Sequence, residues 1–247
     1  MRLIAGPNGS GKSTLIRALK KENFSIGSFV NADVVEQQLS KTGKLPFKSY
    51  IKESVSPSSW RQFLESKKGD RRMSDNIVSL QVRNNFLLNE SKMAINSYSA
   101  ALIVEFLRTR LLEEKENFTF ETVMSHPSKI EFLKQARKKG FKTYLYFICT
   151  RDPRINLKRV KARVSKGGHD VSPTKIKSRF EKALGLLKEV FLSSDRAFII
   201  DNSEEVSVDS ELKNNVILEK KGSKLIYHSQ LIPEWVDTYL LSKIKLK

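Results

Sequence analysis

The chain has 247 residues, 39% of them hydrophobic and 29% charged, a balance that excludes a disordered or fibrous protein. At roughly 150 residues per domain, that length predicts one domain with elaborations, able to bury a core without staples. The lone cysteine, Cys149, excludes an internal disulfide, and a reducing cytoplasm is the simplest setting. No apolar run reaches the roughly 18 residues of a membrane span, and no signal peptide is expected.

In chain order, residues 3–5 predict the end of a short buried strand. Residues 13–21 predict a helix with Leu15, Ile16 and Leu19 on its apolar side. A second strand is expected over 28–32, ending at Asp33, followed by a short helix over 34–40. The stretch 41–118 reads as an insert with several helices, one over 74–94 and another over 99–114. Strand 118–122 follows. Ser128 and Glu131 have the spacing of a capping box opening a helix over 129–139, and Gly140 is placed as its C-terminal glycine. Residues 143–149 predict a strand. Asp152-Pro153 reads as an N-cap with proline at the first helical position, for a helix to about residue 165. Ser172-Pro173 opens a helix to about 191. A last core strand spans 197–200, a hairpin 216–227, and a terminal helix follows Pro233.

Strand and helix alternate outside the insert, which predicts an α/β fold: a mainly parallel sheet with helices on both faces, a three-layer sandwich. The expected domain covers residues 1–205, with the insert at about 41–117 and a lid at about 154–180. Residues 206–247 append a hairpin and helix to it. Ligands of such sheets sit at the carboxyl ends of the strands, where the phosphate loop, Asp33, Glu121 and Asp201 all fall.

Gly6-Pro7-Asn8-Gly9-Ser10-Gly11-Lys12-Ser13-Thr14 matches G-x-x-x-x-G-K-[ST] between a strand and a helix. Glycines let main-chain N–H groups curl around phosphate oxygens, and the helix N-terminus adds positive partial charge. Lys12 would reach the β- and γ-phosphates of ATP, and Ser13 would hold Mg²⁺.

Such enzymes need an acid near the γ-phosphate. Asp33, Asp201 and Glu105 each follow an apolar run. Glu105 sits inside a helical pattern and reads as a solvent-face residue. Asp201 is followed by Asn202-Ser203, which suits a turn. Asp33, one strand after the phosphate loop, is the preferred general base, with a plain helix N-cap as its alternative.

The net charge is +18, and residues 129–182 hold 17 lysines and arginines against four acids. Nucleic acid, a membrane surface or a heavily phosphorylated substrate would each suit that segment. In the helix after Pro153, Arg159, Arg163 and Lys166 fall opposite Leu157, Val160 and Val164. Either this is a solvated face, or it is a lid whose arginines neutralise charge on a transferring phosphoryl group, with Gly167-Gly168 as hinge and Arg179 returning to the same phosphates. None of His126, His169 and His228 has metal-ligand spacing with another, and a loop-ordering hydrogen bond is the expected role of His169.

Taken together, residues 5–14, Asn31-Ala32-Asp33, Phe118-Thr119-Phe120-Glu121-Thr122-Val123, residues 159–164, Gly167-Gly168-His169-Asp170-Val171, Arg179 and Asp201-Asn202-Ser203 resemble the zeta toxin family of P-loop kinases, particularly its chromosomal relatives. The likeness covers about residues 1–40 and 118–203. It implies transfer of phosphate from ATP to a sugar hydroxyl of an acceptor such as UDP-N-acetylglucosamine. Carried over, Asp33 is the base, Glu121 and Thr122 line the acceptor site, Arg163 and Arg179 clamp phosphates, and Asp201-Asn202-Ser203 lie near the adenine. A toxin role implies a small antitoxin partner that covers the ATP site. Two other classes stand beside this reading: an ATP-using nucleic-acid protein, such as a polynucleotide-end kinase, and a nucleotide-gated switch.

Overall fold

The computed structural model describes residues 1–168, 170–204 and 215–244. In chain order the elements are β1 (Arg2–Ala5), α1 (Lys12–Lys21), β2 (Ser28–Val30), α2 (Ala32–Thr42), β3 (Lys44–Pro46), α3 (Pro57–Glu65) and α4 (Asp75–Val78). Then come β4 (Gln81–Arg83), β5 (Phe86–Leu88), α5 (Ser97–Glu113), β6 (Phe118–Thr122), α6 (Ser128–Lys138) and β7 (Tyr144–Cys149). The chain continues with α7 (Pro153–Val164), α8 (Pro173–Gly185), α9 (Leu187–Ser193), β8 (Arg196–Asp201), β9 (Val216–Lys221), β10 (Lys224–Tyr227) and α10 (Glu234–Tyr239). Two compact units result: Met1–Ile26 with Glu121–Lys247, and Gly27–Phe120.

In the first unit the strands lie in the order β10-β9-β8-β7-β1. β1, β7 and β8 run parallel, with Ala5 beside Phe147 and Cys149 beside Asp201. β9 and β10 close the sheet antiparallel to β8. Because the three parallel strands share one direction, the loops after Ala5, Cys149 and Asp201 leave from one sheet edge. Leu3, Ile4, Leu145, Phe147, Ile199 and Leu218 are fully buried, as strands covered on their faces require.

Local chemistry sets the element ends. Asp152 caps α7 by accepting the Arg154 N–H at 2.7 Å, with Pro153 at the first helical position. Gly140 adopts φ 86° just after α6, the left-handed conformation a helix end favours glycine for. Lys220, near the end of β9, donates to the carbonyl of Ser194 and, at 3.2 Å, to that of Leu192, which satisfies orphan acceptors at the end of α9.

In the second unit, β2 pairs parallel with β6, from Ser28 beside Phe118 to Val30 beside Phe120. A separate antiparallel sheet has the order β3-β5-β4. α5 is buried on most sides through Leu102, Ile103, Phe106, Leu107 and Leu111. Phe106 packs at 5.2–5.9 Å against the rings of Phe47, Trp60 and Phe63. Arg108 is buried within α5 over the Phe120 ring, and burial holds its pKa down at about 10.

Most expected elements form, with four corrections. The helix expected over 74–94 reduces to α4, and the hairpin β4–β5 replaces the rest. Asn84 and Asn85, with φ of 50° and 61°, form its turn, a conformation asparagine tolerates and a helix does not. The insert is therefore helical with a small sheet. Second, Ser128 does not cap α6: Pro127 holds the N-cap position, and the Ser128 N–H and hydroxyl are engaged with His126 Nδ1. Third, the helix expected from Ser172 to 191 is two helices, α8 and α9, meeting at Leu186. Finally, Asp33 is not the N-cap of α2. Asn31 is, accepting the N–H groups of Asp33 and Val34 at 2.7 and 3.3 Å.

Candidate functional site

The site of the first unit is built where β1 gives way to α1. Gly6, Gly9 and Gly11 all have positive φ: 143°, 77° and 106°. Each also lies against another part of the chain. A Cβ on Gly6 would stand 2.0 Å from the Ile148 carbonyl oxygen, one on Gly9 2.6 Å from that of Asn156, and one on Gly11 2.3 Å from the Asn202 amide. The loop is glycine-rich because both its curl and its neighbours exclude side chains.

Three elements hold the loop in shape. Asn202, after β8, donates to the Ser10 carbonyl at 2.8 Å. Asn156, in the first turns of α7, donates to the Asn8 carbonyl at 2.6 Å and pairs with the Thr150 hydroxyl. Arg179, on α8, reaches the Asn8 side-chain oxygen at 3.3 Å. Ser10 is fully buried, whereas Ser13 and Thr14 are exposed at the start of α1. No side chain caps α1, and its first turn holds no acid. Its N–H groups therefore face the loop as an anion site does.

Lys12 is buried, with its ammonium 2.9 Å from the Pro7 carbonyl oxygen and 3.8 Å from Glu121 Oε1. Glu121 and Thr122 end β6 in this same unit, and the Thr122 hydroxyl accepts the Met124 N–H at 3.3 Å. On α7, Arg159 donates to the carbonyls of Asn202 and Glu204 at 2.7 and 2.9 Å, which places it beside the loop that clamps Ser10. Arg163 is exposed, and a Cβ on Gly168 would stand 2.5 Å from its Cγ, so the glycine after α7 admits the arginine stem. The structure thus gathers Gly6–Thr14, Glu121, Thr122, Arg159, Arg179 and Asn202 in one unit. His169 lies outside the described residues.

The other acids have different surroundings. Asp201 accepts the Ser203 N–H at 2.7 Å and the Trp235 indole N–H at 2.6 Å, so both oxygens anchor the turn and α10. Glu105 is not a plain solvent-face residue. It pairs with Lys67 at 2.6 Å and Arg72 at 2.8 Å, which overcome the upward push of its burial and lower its pKa. Asp33 is exposed at the second position of α2, in the second unit. Burial raises the Cys149 thiol pKa far above its usual value, which leaves it an apolar wall residue beside the loop.

Sequence reasoning missed Asn156. The available signal was a polar residue four positions after an N-cap aspartate, on the helix side that carries Val160 into the core.

A family model described as zeta toxin matches residues 90–231, more than half of the chain. The chain belongs to the zeta toxin family. The matched span carries Glu121, Thr122, Arg159, Arg163, Arg179 and Asn202, and the phosphate loop precedes it. Over 69 residues the chain is 35% identical to an uncharacterized protein of Haemophilus influenzae, covering 28% of this chain and 49% of that protein. The crystal structure of AvrRxo1-ORF1:AvrRxo1-ORF2 with sulphate ions is similar over 96% of this chain and 61% of that one, with a TM-score of 0.56 and 15% identity. The AvrRxo1-ORF1:-ORF2 structure with ATP has a TM-score of 0.54 and 14% identity over the same shares. At these identities the likeness shows the fold, a P-loop kinase-like α/β fold. The chain spans about half of that curated relative and 61% of those structures' chains.

Proposed function

We propose that this chain is an ATP-dependent phosphotransferase of the zeta toxin type, acting on a hydroxyl of a small, nucleotide-sugar acceptor. The observation that carries this reading is the phosphate loop, curled at Gly6, Gly9 and Gly11, tied by Asn156 and Arg179 to the helices that bear the arginines and by Asn202 to the turn after β8.

ATP and Mg²⁺ fit the residues present. The N-terminus of α1 is uncapped, its N–H groups suit phosphate oxygens, and the exposed Ser13 hydroxyl would hold the cation. ATP would supply the phosphoryl group, and a cation held by Ser13 would supply charge neutralisation there. Lys12, now held by the Pro7 carbonyl and Glu121, would turn to bind phosphate oxygens of ATP. Arg163 and Arg179 would stabilise charge on the transferring group, with α7 and α8 as the lid, while Arg159 would hold the turn at Asn202. Carried over from the family likeness, Asp33 would take the proton from the acceptor hydroxyl, Glu121 and Thr122 would line the acceptor, and Asn202 would border the adenine.

AvrRxo1-ORF1 was crystallised with AvrRxo1-ORF2. By analogy, a small antitoxin would cover the ATP site here, in the cytoplasm. A second reading, phosphorylation of polynucleotide ends, is favoured by the exposed Lys158, Lys161, Lys166, Lys175 and Lys177 around that lid.

The test is incubation with Mg-ATP and UDP-N-acetylglucosamine, followed by mass spectrometry, beside Lys12→Ala and Asp33→Asn. A phosphorylated sugar nucleotide absent from both variants supports the reading. Phosphate transfer to oligonucleotide ends alone moves the assignment to the second one.

A further inference from the structure

One face of the sheet in the first unit presents cations and rings that the proposed reaction does not use. Residues paired across strands point to the same face. Arg2 pairs with Tyr144, Tyr144 with Arg196, Arg196 with Lys221, and Lys221 with Lys224. These five form a continuous row across β1, β7, β8, β9 and β10, roughly 19 Å long at the usual strand spacing. The adjoining row on the same face holds Tyr146, Phe198, Glu219 and Ile226.

The rings and cations of these rows are already associated. Tyr146 and Phe198 stack at 4.9 Å and 14°. The Arg196 guanidinium lies 4.9 Å from the Phe198 ring centre, and that of Arg2 lies 5.7 Å from the Tyr144 ring and 4.8 Å from Phe24. Tyr144, Tyr146, Phe198, Arg2 and Arg196 are all partly exposed. Lys221, Lys224, Phe24 and Ile226 are exposed. The single acid, Glu219, is buried and shared by Arg196 at 2.7 Å and His228 at 3.2 Å. The strip therefore presents net positive charge beside π surfaces.

We propose that this face binds single-stranded nucleic acid. Phosphates would follow the row of Arg2, Arg196, Lys221 and Lys224. Bases would stack against the ring and guanidinium planes of Tyr144, Tyr146, Phe198 and Arg196, the pairing of charge and stacking that single strands require. An apolar protein partner matches this face less well, because every ring named has a cation beside it. Arg2, Tyr144 and Arg196 begin their strands, at the sheet edge opposite the one from which the phosphate loop leaves, so this surface stands apart from the nucleotide site.

The test is fluorescence anisotropy of the full chain with labelled single-stranded oligonucleotides of about 20 nucleotides, DNA and RNA, and with the matching duplex. Lys221→Glu/Lys224→Glu and Phe198→Leu run beside the wild type, with melting temperature and ATP binding as controls. The expected result is preference for single strands and about tenfold weaker binding in each variant, with ATP binding and melting unchanged. Absence of binding at low salt overturns the proposal. So does binding that ignores both variants, which would place the nucleic acid on the lysines of α7 and α8. Loss of ATP binding in the wild type would bear on the kinase reading alone.

Discussion

Asn156 and Asn8 are joined by a 2.6 Å hydrogen bond from a buried side-chain amide to a main-chain carbonyl, 148 residues apart in sequence. The same asparagine presents its own carbonyl oxygen where a Cβ on Gly9 would stand. The helix that bears Arg159 and Arg163 is thus anchored to the phosphate loop at its base.

Replacing Asn156 by Leu removes that bond and takes the side-chain donor from the part-buried Asn8 carbonyl. The expected loss is about 1–3 kcal/mol of stability, with ATP affinity falling further than the stability change alone explains. Urea denaturation and nucleotide titration measure the two separately. An unchanged ATP affinity in a folded Asn156→Leu protein would remove the anchor from the account.

Gly6→Ala meets main chain rather than a side chain, at the Ile148 carbonyl oxygen, and at a φ of 143°. Neither obstacle can move cheaply. Nucleotide binding is expected to disappear, with destabilisation of at least about 1 kcal/mol. Gly140→Ala is the control. Nothing lies within 4 Å of the added methyl there, so only the φ of 86° opposes it and nucleotide binding persists.

Arg179 reaches Asn8 from α8, whereas Arg159 is committed to the carbonyls of Asn202 and Glu204. On the proposed mechanism Arg179→Ala lowers kcat by about a hundredfold, the usual loss for one group that stabilises transition-state charge. On the same mechanism Arg159→Ala acts instead through the turn at Asn202 and raises KM for ATP. Steady-state kinetics with the acceptor in excess distinguishes the two, and identical effects on both parameters would contradict these separate roles.

In the second unit, Arg72 binds both Asp70 and Glu105. The Arg72 hydrogen bond holds the Asp70 carboxyl at about 2, below the ordinary 3.8. A depressed folded pKa stabilises above the unfolded value and is lost as pH falls through the folded one. The advantage of wild type over Arg72→Met should therefore be constant above about pH 5 and shrink between about pH 4 and pH 2. Urea midpoints across that range measure it, and a gap that widens on acidification would refute the assignment.

The first unit was legible in the sequence because its signals are local. A glycine-rich loop between a strand and a helix, Asp152-Pro153 and Gly140 each declare themselves within a few residues. Arg179 and Asn202 could be nominated from the family pattern, but their partners, Asn8 and Ser10, lie more than 170 residues away and no spacing reveals them. Asn84-Asn85 was a turn signal overlooked because Ile77, Leu80, Phe86 and Leu87 also fit a helical period. Tertiary pairing with Lys44–Pro46 decided for strands. The sheet-face rings were visible as strand aromatics, but their company with Arg2 and Arg196 depends on register across strands.

The most direct test of the central claim is calorimetric titration of Mg-ATP into the wild type and into Lys12→Ala, both verified as folded. The account predicts saturable binding by the wild type and at least a tenfold loss in the variant. Equal binding by both, or none by the folded wild type, would contradict a phosphate loop built at Gly6–Thr14 to hold a triphosphate.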